Sequence, residues 1–152
     1  MNQTKLLIAM ALTGLLASTA AQAATSAGGM RLVTRQKTCE MTVPAGWKIN
    51  KWLKSRASAP DDSATAGLSS PDTGYNLSQA KPIVEGSLKP IKIFEDTPRR
   101  FWYQYKTSAG PGIGWYVGVP FKDGICTALI AFKNTSQTEM IKKIVMSVKA
   151  IR

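Results

Sequence analysis

The chain has 152 residues, with 20 lysines and arginines against nine carboxylates and no histidine, a formal net charge of +11 at pH 7. Without histidine, Ser-His-Asp and Cys-His hydrolases of the usual form and histidine-built zinc sites are excluded, and two distant cysteines cannot make a structural zinc site. The basic excess points instead to acidic partners: an acidic protein, anionic lipid headgroups or nucleic acid.

The chain opens with one lysine, Lys5, then an apolar run from Leu6 to Leu16, then small residues ending Ala21-Gln22-Ala23. A charged start, a short apolar stretch and an A-x-A site predict a secretory signal peptide over residues 1–23. The run is shorter than the ~20 residues that span a bilayer. No cysteine follows the cleavage site, so no lipoprotein anchor is expected. The expected destination is the bacterial periplasm or the exterior, which argues against nucleic acid as a partner. Residues 24–152 then form one soluble domain by length, with 19 basic side chains, nine acidic ones and a net charge of +10.

After a small-residue leader (24–30), a strand is expected around Cys39–Val43. Pro44 lacks a donor and Gly46 permits a turn, so the strand breaks there. Ile49, Trp52 and Leu53 share a helical face, and Lys48, Lys51 and Lys54 lie elsewhere, which predicts a short helix over Lys48–Arg56. Residues 55–70, poor in large apolar side chains, read as a long loop. Ser70–Gly74 is a turn signal leading to a weak strand at Tyr75–Leu77. Ser78-Gln79-Ala80-Lys81 matches the S-x-x-K nucleophile motif, but its partner motifs S-D-N and K-T-G are missing, so it reads as a chance match.

The second half alternates at period two. Strands are expected at Pro90–Glu95, Arg99–Lys106, Ile113–Pro120 and Gly124–Lys133. In the second of these, Phe101, Tyr103 and Tyr105 share one face, and Arg100, Trp102, Gln104 and Lys106 the other. Gly110–Gly114 lacks the Lys-Ser/Thr of a phosphate loop and reads as a turn. Asp123-Gly124 marks a hairpin, so the strands form an antiparallel meander. Ser136 and Glu139 make a capping box. Met140, Ile141, Ile144, Val145, Val148 and Ile151 follow at helical spacing, predicting a closing helix whose apolar stripe covers one face of the sheet. The expected fold class is α+β.

Cys39 and Cys126 are the only cysteines. In an oxidising compartment they are expected to form a disulfide closing a loop of about 88 residues, worth ~4 kcal/mol in the chain-entropy model. The adjacent carboxylates Asp61-Asp62 and Glu95-Asp96 point to opposite faces if extended, so neither pair converges as an acid/base dyad. With no catalytic constellation, no metal site and no cofactor motif, the chain reads as non-enzymatic.

Val43-Pro44-Ala45-Gly46-Trp47 resembles the VP-x-GW strand-turn that opens domains of the PsbP-like and DcrB-like class. Ser70-Pro71-Asp72 resembles the start of their next strand, and the closing helix after a long last strand also fits. The resemblance implies a twisted antiparallel sheet flanked by helices. It implies binding, chaperone-like or assembly roles, with no shared catalytic residues.

Two basic clusters interleave with tryptophan: Arg31, Arg35, Lys37, Lys48, Lys51, Lys54 and Arg56 near Trp47 and Trp52, and Lys89, Lys92, Arg99, Arg100 and Lys106 with Trp102. Of these, Lys48, Lys51, Trp52, Lys54, Arg56, Arg99, Arg100 and Trp102 are the candidate partner-binding set. The leading expectation is an exported inhibitor that occludes an acidic protein, for example an immunity protein against a periplasm-acting toxin or cell-wall hydrolase. The alternative is an envelope component that sits on anionic lipid or lipopolysaccharide through Lys48–Arg56.

Overall fold

The computed structural model describes residues 28–70, 76–107 and 112–151. The expected signal peptide at 1–23, most of the turn expected at Ser70–Gly74, Tyr75 of the expected strand, and Gly110-Pro111 lie outside them.

Two antiparallel sheets pack face to face. The smaller has the order β1-β2-β10, with β1 Met30–Val33, β2 Cys39–Val43 and β10 Lys149–Ala150. The larger has the order β3-β4-β5-β9-β8-β7-β6: β3 Lys48–Ile49, β4 Arg56–Ser58, β5 Ala64–Ser69, β6 Pro90–Thr97, β7 Arg100–Lys106, β8 Ile113–Phe121 and β9 Gly124–Phe132. Strands β6 to β9 are the expected meander, and the fold is α+β. The Asp123-Gly124 signal falls at the β8–β9 hairpin, where Phe121 pairs with Gly124.

One face of the large sheet carries the main core. Ala64, Ala66 and Leu68 of β5, Cys126, Ala128, Ile130 and Phe132 of β9, and Trp115 and Val117 of β8 pack against Leu32, Met41 and Val43 of the small sheet. Helix α2, Thr138–Met146, adds Ile141, Ile144 and Val145 to the same core. The Cys39–Cys126 disulfide crosses between the sheets, and both cysteines are fully buried. The strand-turn at 43–47 is structural: Gly46 takes the left-handed φ of 85°, which glycine adopts without strain, and Trp47 is buried.

The other face carries a second core under α1, Leu77–Leu88. Phe101, Tyr103, Tyr116 and Ile125 meet Ala80, Leu77, Val84 and Leu88. The Phe101 and Tyr105 rings lie down on β8 because a glycine stands opposite each, while Tyr103 stacks on Tyr116. Tyr105 pairs with Gly114 and Phe101 with Gly118, and a Cβ at either glycine would lie 2.3–2.7 Å from the ring opposite.

Several expectations need correction. The segment Lys48–Arg56 is not a helix but a hairpin: Lys48 pairs with Ser58 and Ile49 with Ala57. The 55–70 segment is not a loop, since it holds β4 and the buried strand β5. Leu77 starts α1 rather than ending a strand. Asn76 caps that helix reciprocally with Gln79, and Pro82 lies inside it. The Ser136–Glu139 box does not form, because a 3-10 turn at Thr135–Gln137 precedes α2 and Asn134 caps it. The closing helix stops at Met146. There the Ser147 hydroxyl bridges to β2, accepting from the Thr42 N–H at 2.8 Å. The chain then pairs along β2, Lys149 with Glu40 and Ala150 with Cys39.

Candidate functional site

The β3–β4 hairpin is built around Asn50. Its Oδ1 accepts from the Trp52 and Leu53 N–H groups at 2.9 Å each, an Asx turn that fixes the tip. The Asn50 N–H donates to the Arg56 carbonyl at 2.9 Å, and the Arg56 N–H to the Leu53 carbonyl at 2.8 Å. Trp52 therefore projects from a braced tip at 91% exposure, with Leu53 and Ile49 also exposed beside it. Single exposed apolar residues are ordinary, but three on one hairpin make a patch.

The candidate cations of the first basic cluster surround this patch. Lys48 donates to the Pro60 carbonyl at 2.9 Å and is partly held. Lys51, Lys54 and Arg56 have no carboxylate within ion-pair distance among the described residues.

The second cluster is not brought to this site. Arg99 and Arg100 sit at the β6–β7 turn, and six strand spacings separate β3 from β6, roughly 29 Å at about 4.8 Å each. Arg100 is half committed already, with Nη1 3.8 Å from Glu95 and 3.3 Å from the Met146 sulfur. Trp102, expected on the binding surface, is a core residue at 7% exposure. It stacks on Phe94 at 4.5 Å and meets Trp115 edge-on at 5.0 Å.

Sequence reasoning missed a groove beside the hairpin. Helix α1 covers only part of its face, and the rest stays open over β4, β5 and β9 as a groove of about 440 Å³. Its lining includes Asn50, Arg56, Ser58, Thr65, Tyr105 and Leu129. The signal was the period-two run Ala64-Thr65-Ala66-Gly67-Leu68-Ser69, whose residues are too small to look like a strand.

The S-x-x-K residues have separate duties. The Ser78 hydroxyl donates to Asn76 Oδ1 at 2.6 Å. Lys81 pairs with Asp96, a hydrogen bond that raises the lysine pKa. Burial pushes Tyr116 up to about 12 and Tyr105 upward as well, so both stay protonated donors near neutral pH. Among the described residues no three His, Cys, Asp or Glu side chains gather as a metal site, and no helix is long and apolar enough to cross a membrane.

No known protein family and no curated protein matches this sequence. Among solved structures, the fold is similar to the solution structure of cyanobacterial PsbP (CyanoP) from Synechocystis sp. PCC 6803. The TM-score is 0.53 over 91% of this chain and 100% of that one, at 10% identity. The likeness is one of fold. It supports a PsbP-like fold and shows nothing of a DcrB-like one.

Proposed function

We propose that this is an exported, non-enzymatic binding protein that occludes an acidic protein partner, with the β3–β4 hairpin tip as its principal contact. The observation that carries the reading is Trp52, 91% exposed on a tip braced by Asn50. An exposed tryptophan on a braced turn, near cations without a described carboxylate partner, suits insertion into a partner's pocket, with the charges serving steering and register. A toxin-neutralising immunity protein is one concrete form. The signal-like residues 1–23 and the buried disulfide support export to an oxidising compartment. A periplasmic address and the DcrB-like likeness belong to the same proposal.

The test is affinity capture from an envelope extract on the oxidised mature protein and on Trp52→Ala, eluted by stepped salt. The expected result is one acidic protein retained stoichiometrically at high salt by the wild type alone, and rebinding after purification. A mixed set of acidic proteins released at moderate salt from both would overturn the reading. One observation favours a second reading. Ile49 and Leu53 are exposed beside Lys51 and Lys54, an arrangement that also suits an anionic lipid interface, where each lysine contributes about 1 kcal/mol. Co-sedimentation with phosphatidylglycerol vesicles, abolished by salt, would favour it.

A further inference from the structure

We propose that the groove beside the hairpin is a second binding site, which receives a carboxylate side chain from an extended segment of the acidic protein partner. It rests on the reading that the partner is an acidic protein.

The strand register lays the groove out. One cross-strand row runs Arg56, Gly67, Leu129, Tyr116; the next runs Ser58, Thr65, Ala131, Gly114, Tyr105. Gly67 and Ala131 make a floor almost without side chains, bounded on one side by the Tyr105 ring that lies over Gly114. Leu129, 42% exposed on an interior strand, stands above it. Arg56 lies across the floor: a Cβ at Gly67 would meet its Cγ, Nε and Cδ at 3.5, 3.6 and 3.9 Å.

The chemistry of the lining selects the occupant. Among the described residues Arg56 is the only charged one that lines the groove, and no described carboxylate lines it. Nor does any described carboxylate pair with Arg56. A guanidinium offers donors in a fixed fork and no acceptor. The Ser58 and Thr65 hydroxyls, opposite one another in the register, add two rotatable donors. The Asn50 carbonyl oxygen is already bound to the tip, so its amide group is left to donate. A donor-rich recess with an aliphatic and an aromatic shoulder and no described acid complements a carboxylate flanked by apolar side chains. Its volume lies in the range of roughly 300–1,000 Å³ typical of binding pockets. Because Asn50 belongs to both features, a partner gripping Trp52 places its neighbouring segment over this recess.

The probe is a blocked pentapeptide with one glutamate flanked by leucines, titrated into the oxidised mature protein labelled with 15N and methyl 13C. The glutamine form of the peptide, inorganic phosphate and phosphatidylglycerol vesicles are titrated in parallel. The expected result is saturable shifts confined to Gly67, Ser69, Leu129 and Ala131 with the glutamate peptide, at least tenfold weaker with its glutamine form. Arg56→Gln should weaken binding at least tenfold, whereas Lys122→Gln, which removes the same charge from an exposed turn, should leave it unchanged. Gly67→Val keeps the arginine but fills the floor, and should abolish the shifts. Thermal melts of each variant confirm that it folds. Equal binding by Arg56→Gln and Lys122→Gln, unchanged binding by Gly67→Val, or a response to phosphate or vesicles alone would overturn the proposal. The tip is judged separately, by capture with Trp52→Ala. A groove that binds the glutamate peptide while capture is indifferent to Trp52 would remove the tip reading and leave the groove.

Discussion

Gly118 and Gly86 receive the same substitution and should respond with opposite sign. At Gly118 of β8 a Cβ would lie 2.3 Å from Phe101 Cε1, 2.6 Å from Cζ and 3.0 Å from Ile125 Cδ1. Carbon atoms rest at about 3.5–4.0 Å, so the ring must retreat by more than an ångström. It has nowhere to go: Phe101 is 1% exposed and stacked on Tyr103 and Tyr116 at centroid distances of 5.8 and 5.4 Å. Overpacking of this kind costs ~1–3 kcal/mol, which at about 4 °C per kcal/mol for a domain of this size lowers Tm by ~4–12 °C. At Gly86, inside α1, a Cβ meets nothing within 4 Å. There alanine removes the conformational cost of a helical glycine, raising stability by ~0.5–1 kcal/mol. Differential scanning calorimetry of both variants in the oxidised state measures this. Phe101→Leu should relieve Gly118→Ala in a double-mutant cycle with a coupling of ~1 kcal/mol. A Gly118→Ala protein as stable as wild type, or additive double mutants, would refute the account of how β7 packs on β8.

Three further outcomes follow from the packing. Replacing both Cys39 and Cys126 by alanine removes a cross-link spanning 87 positions and should cost about 4–5 kcal/mol in urea unfolding; a loss under ~1 kcal/mol would mean that the unfolded chain is already compact. Glu40 accepts from Lys149 at 3.0 Å and from Arg31, bonds that hold its carboxyl below its ordinary value of 4.5, the Lys149 bond foremost. Because the folded pKa is lowered, the stabilisation is complete above that ordinary value and fades as pH falls through the lowered one. The gap between wild type and Glu40→Gln, about 1 kcal/mol given the exposed cations, should therefore be flat from pH 5 to 7 and close below pH 4 in denaturant titrations. Trp52→Ala, truncating a side chain that touches little, should move Tm by no more than ~2 °C; a larger fall would show that the tip is structural.

The parts of the fold legible in the sequence are those where local pattern and tertiary environment agree. β2 and the stripe of α2 show clean alternation or helical spacing and bury what the pattern selects, whereas in the meander the edge strand β6 leaves Ile91 and Ile93 exposed. Where the environment decides, the pattern misleads. Ile49, Trp52 and Leu53 stand at i, i+3 and i+4, a helical signature, yet Asn50 seizes two backbone donors and the segment pairs as a hairpin. β5 is a strand because β4 and β9 flank it, not because alanine, glycine and serine favour extension. α1 runs through Pro82 although proline disfavours a helix interior. Trp102 shares its face with Arg100, Gln104 and Lys106, which made that face look solvated. Phe94 and Trp115, far apart in sequence, roof it over. Of the candidate site, the cations around Trp52 were legible, and the groove was not, because its recess exists only when four strands align.

The charge excess gains meaning from where the carboxylates are spent. Glu40 holds Arg31 and Lys149, Asp96 and Glu85 hold Lys81, and Glu95 lies against Arg100. Asp61 caps its own turn by accepting from Ser63. Lys51, Lys54 and Arg56 have no described carboxylate within ion-pair distance, so their charges are open to a partner at the hairpin edge. Such a field acts on encounter rather than on residence. With a purified partner, raising ionic strength from about 0.01 to 0.15 M shortens the screening length from ~30 to ~8 Å. It should slow association by an order of magnitude or more and leave dissociation nearly unchanged. Trp52→Ala should do the reverse, speeding dissociation with little effect on association. If salt acted chiefly on dissociation, the cations would be buried contacts rather than a steering field, and the division of labour between the tip and its ring would be wrong.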